Sequence, residues 1–420
     1  MRVDLRFGTE ALSFDIDDGK VAAVLRGEFP PAPSPDDESR EIERALREPI
    51  GMDALADVAK PGTRTVIMVS DITRPAPTHK FLPALLDALN ACGIADADIT
   101  VLFGMGIHRG HTVDERRALV GDEAFARVRC EDSTNAPYVY VGDSPAGTPY
   151  RVSETVVNAG LVIGTGNVEY HWFAGYSGGA KAVLPGACDD TTISRNHSMI
   201  THPGSLPGRM EGNPVRKDID DILGFIPIPF IFNVVIDDQK RILRAFAGHP
   251  VKAHREACAY LDSVYKKPIS ELYDAVIVGC GGFPKDINVY QAQKALDNAN
   301  LAVRDGGTIV MVGSCSEGYG EDTFERWVKE SSRPKDILDR LGREFALGGH
   351  KAAGMAKVIG RAEVILISDL PRPVVEEMYL TYAAKDELQA VVDRVGAEAK
   401  SVLIIPQGGS ILPDYRGYGG

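Results

Sequence analysis

The sequence predicts an α/β protein of two domains, each with a mostly parallel sheet, and an active-site cleft between them. Three observations predict it. The chain has 420 residues, and a single compact core rarely exceeds about 250–300. Short, mostly apolar runs alternate with helix-period segments, the rhythm of βα units on a largely parallel sheet. Glycine is abundant, at 43 residues, and many glycines follow apolar runs, where tight turns and close backbone approach are needed.

The elements follow in chain order. Residues 2–7 and 11–15 alternate around a turn at Gly8, predicting a hairpin or two short strands. Residues 17–25 predict another strand. EFPPAPSPDD at 28–37 reads as a rigid polar connector. Residues 41–47 predict a helix that Pro49 stops. After a turn at Pro61-Gly62, residues 65–69 predict a strand ending at Ser70-Asp71. Residues 78–91 predict a helix with Leu82, Leu85, Leu86 and Leu89 on one face. Residues 99–103 predict a strand running into GMGIHRGH, and 113–120 a short helix. Further short strands are expected at 138–141 and 161–164. Residues 165–230 are rich in Gly, Pro, His and Asn with little period, which in a compact domain marks a functional or flexible span. Strands at 231–236 and 242–246 return to the first domain, and 266–273 reads as a linker.

A second α/β unit begins with a strand at 275–278 that ends in GCGGFPKD. A helix at 289–303 and a strand at 308–312, ending in GSCSEGYG, come next. Helical pieces within 323–343 are interrupted at Pro334. Strands at 364–367 and 401–405 enclose helices within 373–393. The expected boundaries are 1–268 for the N-terminal domain and 269–405 for the C-terminal one. Residues 406–420 form a tail expected to pack back on the N-terminal domain.

Charge and composition exclude several classes. Lys and Arg total 46 against 59 Asp and Glu, which argues against a general binder of nucleic acid or anionic membranes. No stretch of 18 apolar residues occurs, so no bilayer-spanning helix is expected. The alternating N-terminus does not read as a signal peptide. The six cysteines form no CxxC pair, so neither a disulfide framework nor a thiolate zinc site is expected. A reducing, cytoplasmic compartment fits.

In open α/β sheets, ligands bind beyond the carboxyl ends of strands. Four loops qualify: SDITRP at 70–75, GMGIHRGH at 104–111, GTGNVEYHWFAGYSGGAK at 164–181, and GCGGFPKDINVYQAQK at 279–294. His108 and His111 share one of them, but two ligands do not make a metal site. His171 sits among aromatic residues and reads equally as a half-buried ring with satisfied nitrogens. His197, in SRNHSMI, reads equally as a surface residue. Lys181 suits an amine nucleophile, an attachment point, an anion contact or a plain surface lysine. Asp71 and Arg74 suit a structural salt bridge. Tyr290, Gln291 and Lys294 share a helix start, with Tyr290 and Lys294 on one face; an anion clamp and an ordinary amphipathic face both fit. GTGNVE lacks the dinucleotide spacing and no P-loop pattern occurs. Residue patterns alone thus lead to an α/β enzyme for a polar anionic ligand, with or without a metal.

The combination is sharper than its parts. SDITRP, GMGIHRGHT, YHWFAGYSGGAKAVLPG, Asn196-His197, GNPVRKD and GGFPKDINVYQAQKAL together resemble the lactate racemase family, the nickel-pincer-nucleotide-dependent 2-hydroxyacid racemases and epimerases. The resemblance spans most of the chain, and only the proline-rich stretch around Pro31 matches less well. It implies that His108 and His171 are the paired acid/base histidines. It makes Lys181 the covalent attachment point of the cofactor and His197 the protein ligand to nickel. Asp71 would lie near the cofactor, Gly178 and Gly179 would let backbone approach it, and Arg74 would face the substrate carboxylate. Tyr290, Gln291 and Lys294 would contact substrate or cofactor. The implied cofactor is a pyridinium-3,5-dithiocarboxylic/thioamide mononucleotide, whose sulfurs flank a carbon–nickel bond.

The chemistry agrees with that implication. A C2–H beside a carboxylate is poorly acidic, and hydride transfer avoids a dianionic intermediate. A base takes the hydroxyl proton while hydride leaves C2; the 2-keto acid then presents its other face, hydride returns and an acid reprotonates the oxygen. Two histidines, with an unperturbed pKa of about 6.5, suit the two enantiomers. Arg74 and Lys294 would hold the carboxylate, and planar N/S coordination suits nickel. Domain closure would exclude water. The substrate is expected to be lactate or a related acid: malate, a larger aliphatic or aromatic 2-hydroxy acid, or a sugar acid. Lys285, Arg109 and Arg195 are the candidates for a second-carboxylate clamp. Cofactor-biosynthesis enzymes are the other expected partners. Two further readings stand beside this one: a zinc-type hydrolase or lyase using His108, His111 and a carboxylate, and a non-enzymatic small-molecule sensor.

Overall fold

A computed structural model describes the chain except residues 28, 29, 75, 238, 345, 347 and 416–420. Parts of the expected connector, of SDITRP and of the tail therefore lie outside the described residues. The chain forms two α/β units with largely parallel sheets. One, here the middle unit, is Pro30–Ser263; the other, the flanking unit, joins Met1–Phe29 to Val264–Gly420.

The middle unit is built on six strands. Their order is Ile242–Gly248, Phe230–Ile236, Leu161–Asn167, Thr65–Ser70, Ile99–Gly104, Arg129–Asp132. Only the first pair is antiparallel. Thr65–Ser70 is central and its first five residues are buried, which is why it reads as a continuous apolar run. Helix Thr78–Ala91 buries Phe81, Leu82, Leu85, Leu86 and Leu89, and Phe81 packs on Phe232 at 5.0 Å between ring centroids. The expected connector ends early: Ser34 caps a helix over Pro35–Arg47, accepting from the Asp37 amide while Asp37 returns the bond. Tyr138–Asp143 pairs antiparallel with Pro149–Ser153 and forms a separate ribbon, not a strand of the main sheet. Helix Lys252–Tyr265 was not expected, because its charged residues thin the apolar period.

Residues 165–230 are packed rather than loose, and few of them are fully exposed. They contain helices Asp190–His197 and Pro214–Asp221. Buried side-chain hydrogen bonds organise this span, and these leave no periodic trace in sequence.

The flanking unit carries a six-stranded, all-parallel sheet. Its order is Thr381–Ala383, Glu363–Ile367, Val303–Val312, Tyr273–Gly279, Val402–Ile405, Val21–Val24. The last strand corrects the expected boundary at residue 1. Val21–Val24 adds to the edge of this sheet, and the hairpin Arg2–Phe7/Glu10–Asp15 buries Val3, Leu5, Phe7 and Phe14 in the same core as Ile277, Val310 and Ile404. The expected linker at 266–273 is instead a strand, Lys266–Ile269, in parallel register with Leu412–Tyr415. The described part of the tail thus pairs within the flanking unit, contrary to expectation.

Candidate active site

The middle sheet reverses its winding between Thr65–Ser70 and Leu161–Asn167, the switch point at which such sheets bind ligands. Three candidate loops leave the carboxyl ends of strands there. Asp71 follows Ser70, His108 follows Gly104, and His171 and Lys181 follow Asn167.

Asp71 is buried. Its Oδ1 accepts from the Thr73 amide at 2.8 Å and the Thr73 hydroxyl at 2.6 Å, which shapes the loop as an Asx turn. Its Oδ2 meets His108 Nδ1 in a close, charge-assisted contact. Burial works to raise the Asp71 pKa, but the hydrogen bond and charge of His108, the Thr73 hydroxyl and the Arg74 charge outweigh it and hold the carboxyl below its usual value. Asp71 is therefore an acceptor, His108 Nδ1 donates, and the lone pair of a neutral His108 lies on Nε2.

His111 does different work. Its side chain is fully buried; Nδ1 donates to Asp132 at 2.9 Å and Nε2 accepts from the Ile72 amide at 3.1 Å. Both nitrogens are engaged, so the expected hydrolase reading, in which His111 binds zinc with His108, is corrected. His111 instead anchors the loop that carries Asp71 and Arg74. Arg109, considered as a carboxylate clamp, forms a two-pronged pair with Glu115 at 2.9 and 2.6 Å. A cavity of about 450 Å³ adjoins His108, and its lining includes Asp189 and Asp190. Those carboxylates disfavour an anion there; the cationic side of the site is that of Arg74 and Lys181.

The turn before Lys181 is gripped by three buried side chains. Asn233 Oδ1 accepts from the Gly179 amide at 2.9 Å, and His254 Nε2 donates to the Ser177 carbonyl at 2.8 Å. Arg216 Nη1 reaches the carbonyls of Tyr176 and Gly178, each at 3.4 Å. Gly178 and Gly179 have φ of +80° and +62°; a Cβ would meet Asn233 Oδ1 or His254 Cγ at 2.9 Å. The protein's own packing thus requires both glycines. Arg216 is anchored by Asp220, which Arg255 also binds. Burial opposes ionisation of Asp220, but both arginines hold it down at about 2. Burial, with the charges of Arg216 and Arg255, pushes the His254 pKa well down, so the ring is neutral. Burial first, then the charges of Arg74 and Arg216, push the Lys181 amine down from 10.5 to about 7, against the pull of Glu169 and Asp71.

His171 and His197 meet on one aromatic ring. Phe173 packs edge-on against His171 at 4.5 Å and against His197 at 4.9 Å between centroids. His171 Nδ1 accepts from the Ala174 amide at 3.2 Å. His197 is buried at the end of helix Asp190–His197, with Nδ1 at 3.1 Å from Asn196 Oδ1. The structure thus associates Asp71, His108, Arg74 and Lys181 through contacts and charge, and His171 with His197 through Phe173.

Tyr290, Gln291 and Lys294 lie in the flanking unit, on helix Val289–Asn300, which Asn288 caps by accepting from the Gln291 amide at 2.9 Å. Tyr290 is half-buried against Phe324, with Lys351 Nζ 4.0 Å above its ring. Gln291 and Lys294 are exposed.

The comparisons with known proteins follow this geometry. Residues 7–208 match the model of the lactate racemase N-terminal domain, and residues 270–412 that of the lactate racemase C-terminal domain. The chain belongs to the lactate racemase family. It is 32% identical to the lactate racemases of Thermoanaerobacterium thermosaccharolyticum and Lactiplantibacillus plantarum, over 98% of this chain and 98% and 99% of theirs. It superposes on the structure of the Thermoanaerobacterium lactate racemase apoprotein with a TM-score of 0.88, at 30% identity, over 99% of this chain and all of that one. A Thermotoga maritima protein, 20% identical with a TM-score of 0.61, shares the fold over 91% of this chain and 98% of its own. This lactate racemase family member is thus an isomerase, a racemase of 2-hydroxy acids, which sets aside the sensor reading. Family identity implies a nickel-pincer nucleotide.

The residues fit such a group. Among the described residues, no set of three or more His, Cys, Asp or Glu could hold a metal; a metal shared between His197 and the sulfurs of a pincer would not need such a set. Asn167, at the end of the strand leading to Lys181, has a buried Nδ2 without a hydrogen-bond partner, a donor suited to a bound acceptor. Asn233, His254 and Arg216 were not among the expected site residues. For Arg216 the available signal was the GNPVRKD motif.

Proposed function

We propose that this racemase inverts a small 2-hydroxy acid by hydride transfer at C2, with its nickel-pincer nucleotide attached at Lys181 and the metal bound by His197. The observation that carries this reading is the Asp71–His108 pair on the loop next to a lysine amine held at about 7. An amine lowered this far from 10.5 has an unprotonated, nucleophilic fraction at neutral pH. When bound, the cofactor supplies the acceptor and donor of the C2 hydride. His108 Nε2 takes the hydroxyl proton of one enantiomer, and Asp71 stabilises the imidazolium that results. His171 returns a proton to the 2-keto oxygen when the opposite face is reduced, and the roles reverse for the other enantiomer. Arg74, exposed and cationic, pairs with the substrate carboxylate. Substrate or cofactor contacts by Tyr290, Gln291 and Lys294, and approach of the cofactor to Gly178 and Gly179, complete the proposal. The substrate is lactate or a related 2-hydroxy acid. All six cysteines are free thiols, which supports a reducing, cytoplasmic setting shared with the cofactor-building enzymes.

Peptide mass spectrometry with nickel analysis tests the proposal on protein coexpressed with those enzymes. The expected result is an adduct of several hundred daltons on Lys181 and near-stoichiometric nickel. An unmodified Lys181 from cells shown to mature the cofactor overturns it.

A further inference from the structure

Behind His197 runs a chain of buried hydrogen bonds that the mechanism has not used. Asn196 and Asp218 are 0% and 1% exposed. Asn196 Nδ2 donates to Asp218 Oδ2 at 2.8 Å and to the Val215 carbonyl at 3.3 Å. Both partners are acceptors only, so the amide cannot be reversed. Its Oδ1 must therefore be the atom facing His197 Nδ1, at 3.1 Å, and His197 Nδ1 must donate. Asp218 is fixed in turn by the hydroxyls of Ser144 and Thr148, and Tyr150 donates to its backbone carbonyl at 2.6 Å. Edge packing by Phe173 at 4.9 Å restrains the ring from another direction. A carboxylate–amide–imidazole relay of this kind fixes the tautomer and orientation of a metal-binding histidine.

We propose that Asn196 and Asp218 are positioning residues for nickel: they hold His197 in the Nδ1–H form, so that Nε2 carries the lone pair offered to the metal. This rests on the reading of His197 as the nickel ligand. Neither residue touches substrate, and their effect passes through the imidazole.

The test measures nickel release to a chelator from cofactor-loaded protein, alongside the Lys181 adduct mass. Asn196→Leu keeps the side-chain volume and removes the acceptor. It is expected to release nickel about 10- to 100-fold faster than wild type, with the Lys181 adduct still formed. The exchanged pair Asn196→Asp/Asp218→Asn restores the 196–218 hydrogen bond with donor and acceptor reversed and keeps an acceptor for His197 Nδ1, while leaving a carboxylate oxygen beside the Val215 carbonyl; it is expected to recover part of the retention. Asn196→Asp alone keeps an acceptor for His197 Nδ1 but sets two carboxylates against each other, and its release rate is expected to fall between those of wild type and Asn196→Leu. If Asn196→Leu does not fold, the comparison of Asn196→Asp with the exchanged pair carries the test. Wild-type release rates in Asn196→Leu, or no recovery in a folded exchanged pair, would overturn the proposal. Wild-type retention in His197→Ala overturns the ligand assignment itself, and this proposal with it.

Discussion

Lys181→Met is expected to abolish covalent loading, and with it racemase activity, while making the apo-protein more stable below pH 7. The two effects have one cause. Folding places the amine in a poorly solvated site beside Arg74 and Arg216, which pushes it from 10.5 to about 7. The unfolded chain keeps the proton up to its ordinary pKa; the folded chain releases it above about 7. Between those values the unfolded state binds more protons, so native stability rises with pH across that window. The destabilisation is fully present below pH 7 and fades toward pH 10.5. A neutral methionine of similar length removes it. With the partial exposure of Lys181 allowed for, the gain is on the order of 1–3 kcal/mol at about pH 6, shrinking toward zero near pH 10. Thermal melts of the two apo-proteins at both pH values check this. Equal stability at pH 6, or a gain that grows with pH, would contradict the account. A residue kept at the expense of stability is expected where chemistry needs a neutral amine.

His108→Gln is expected to lower kcat by about 100- to 10,000-fold, the range for a lost general base. Asp71→Asn is expected to come close to it, although Asp71 takes no proton from the substrate. An amide in place of the carboxylate can turn its NH2 toward His108 Nδ1, which moves the ring proton to Nε2 and removes the base at the substrate. KM should change little in both variants, because Arg74 is untouched. The losses in kcat/KM must be equal for the two enantiomers, since the equilibrium constant of a racemisation is one. Steady-state kinetics by chiral chromatography from each pure enantiomer measures all of this. An Asp71→Asn enzyme within threefold of wild type would show that the carboxylate does not set the tautomer.

Much of this site was legible in sequence because its residues sit just past strand ends, where apolar runs break into glycine, histidine and charge. Asp71, His108 and Lys181 were found that way, and the family's motifs gave each a role. The architecture of two α/β units was legible for the same reason. Other features left no local mark. Val21–Val24 reads as a strand, but nothing in it says that its partner is Val402–Ile405, nearly the whole chain away. His111 looked like the equal of His108, and only the positions of Asp132 and the Ile72 amide mark it as an anchor, distinct from the base proposed at His108. Arg216, Asn233 and His254 come from three separate segments and converge on one turn; such convergence is a property of the packed unit.

The most direct test of hydride transfer is the fate of a label at C2. Substrate deuterated at C2 and converted in ordinary water is expected to give the opposite enantiomer with its deuterium kept, and unlabelled substrate in D2O is expected to gain none. Hydrogen that leaves as hydride returns to the same carbon without meeting solvent. Washout of deuterium at each inversion, with matching uptake from D2O, would mean that C2 loses a proton, and would contradict the mechanism proposed for this enzyme.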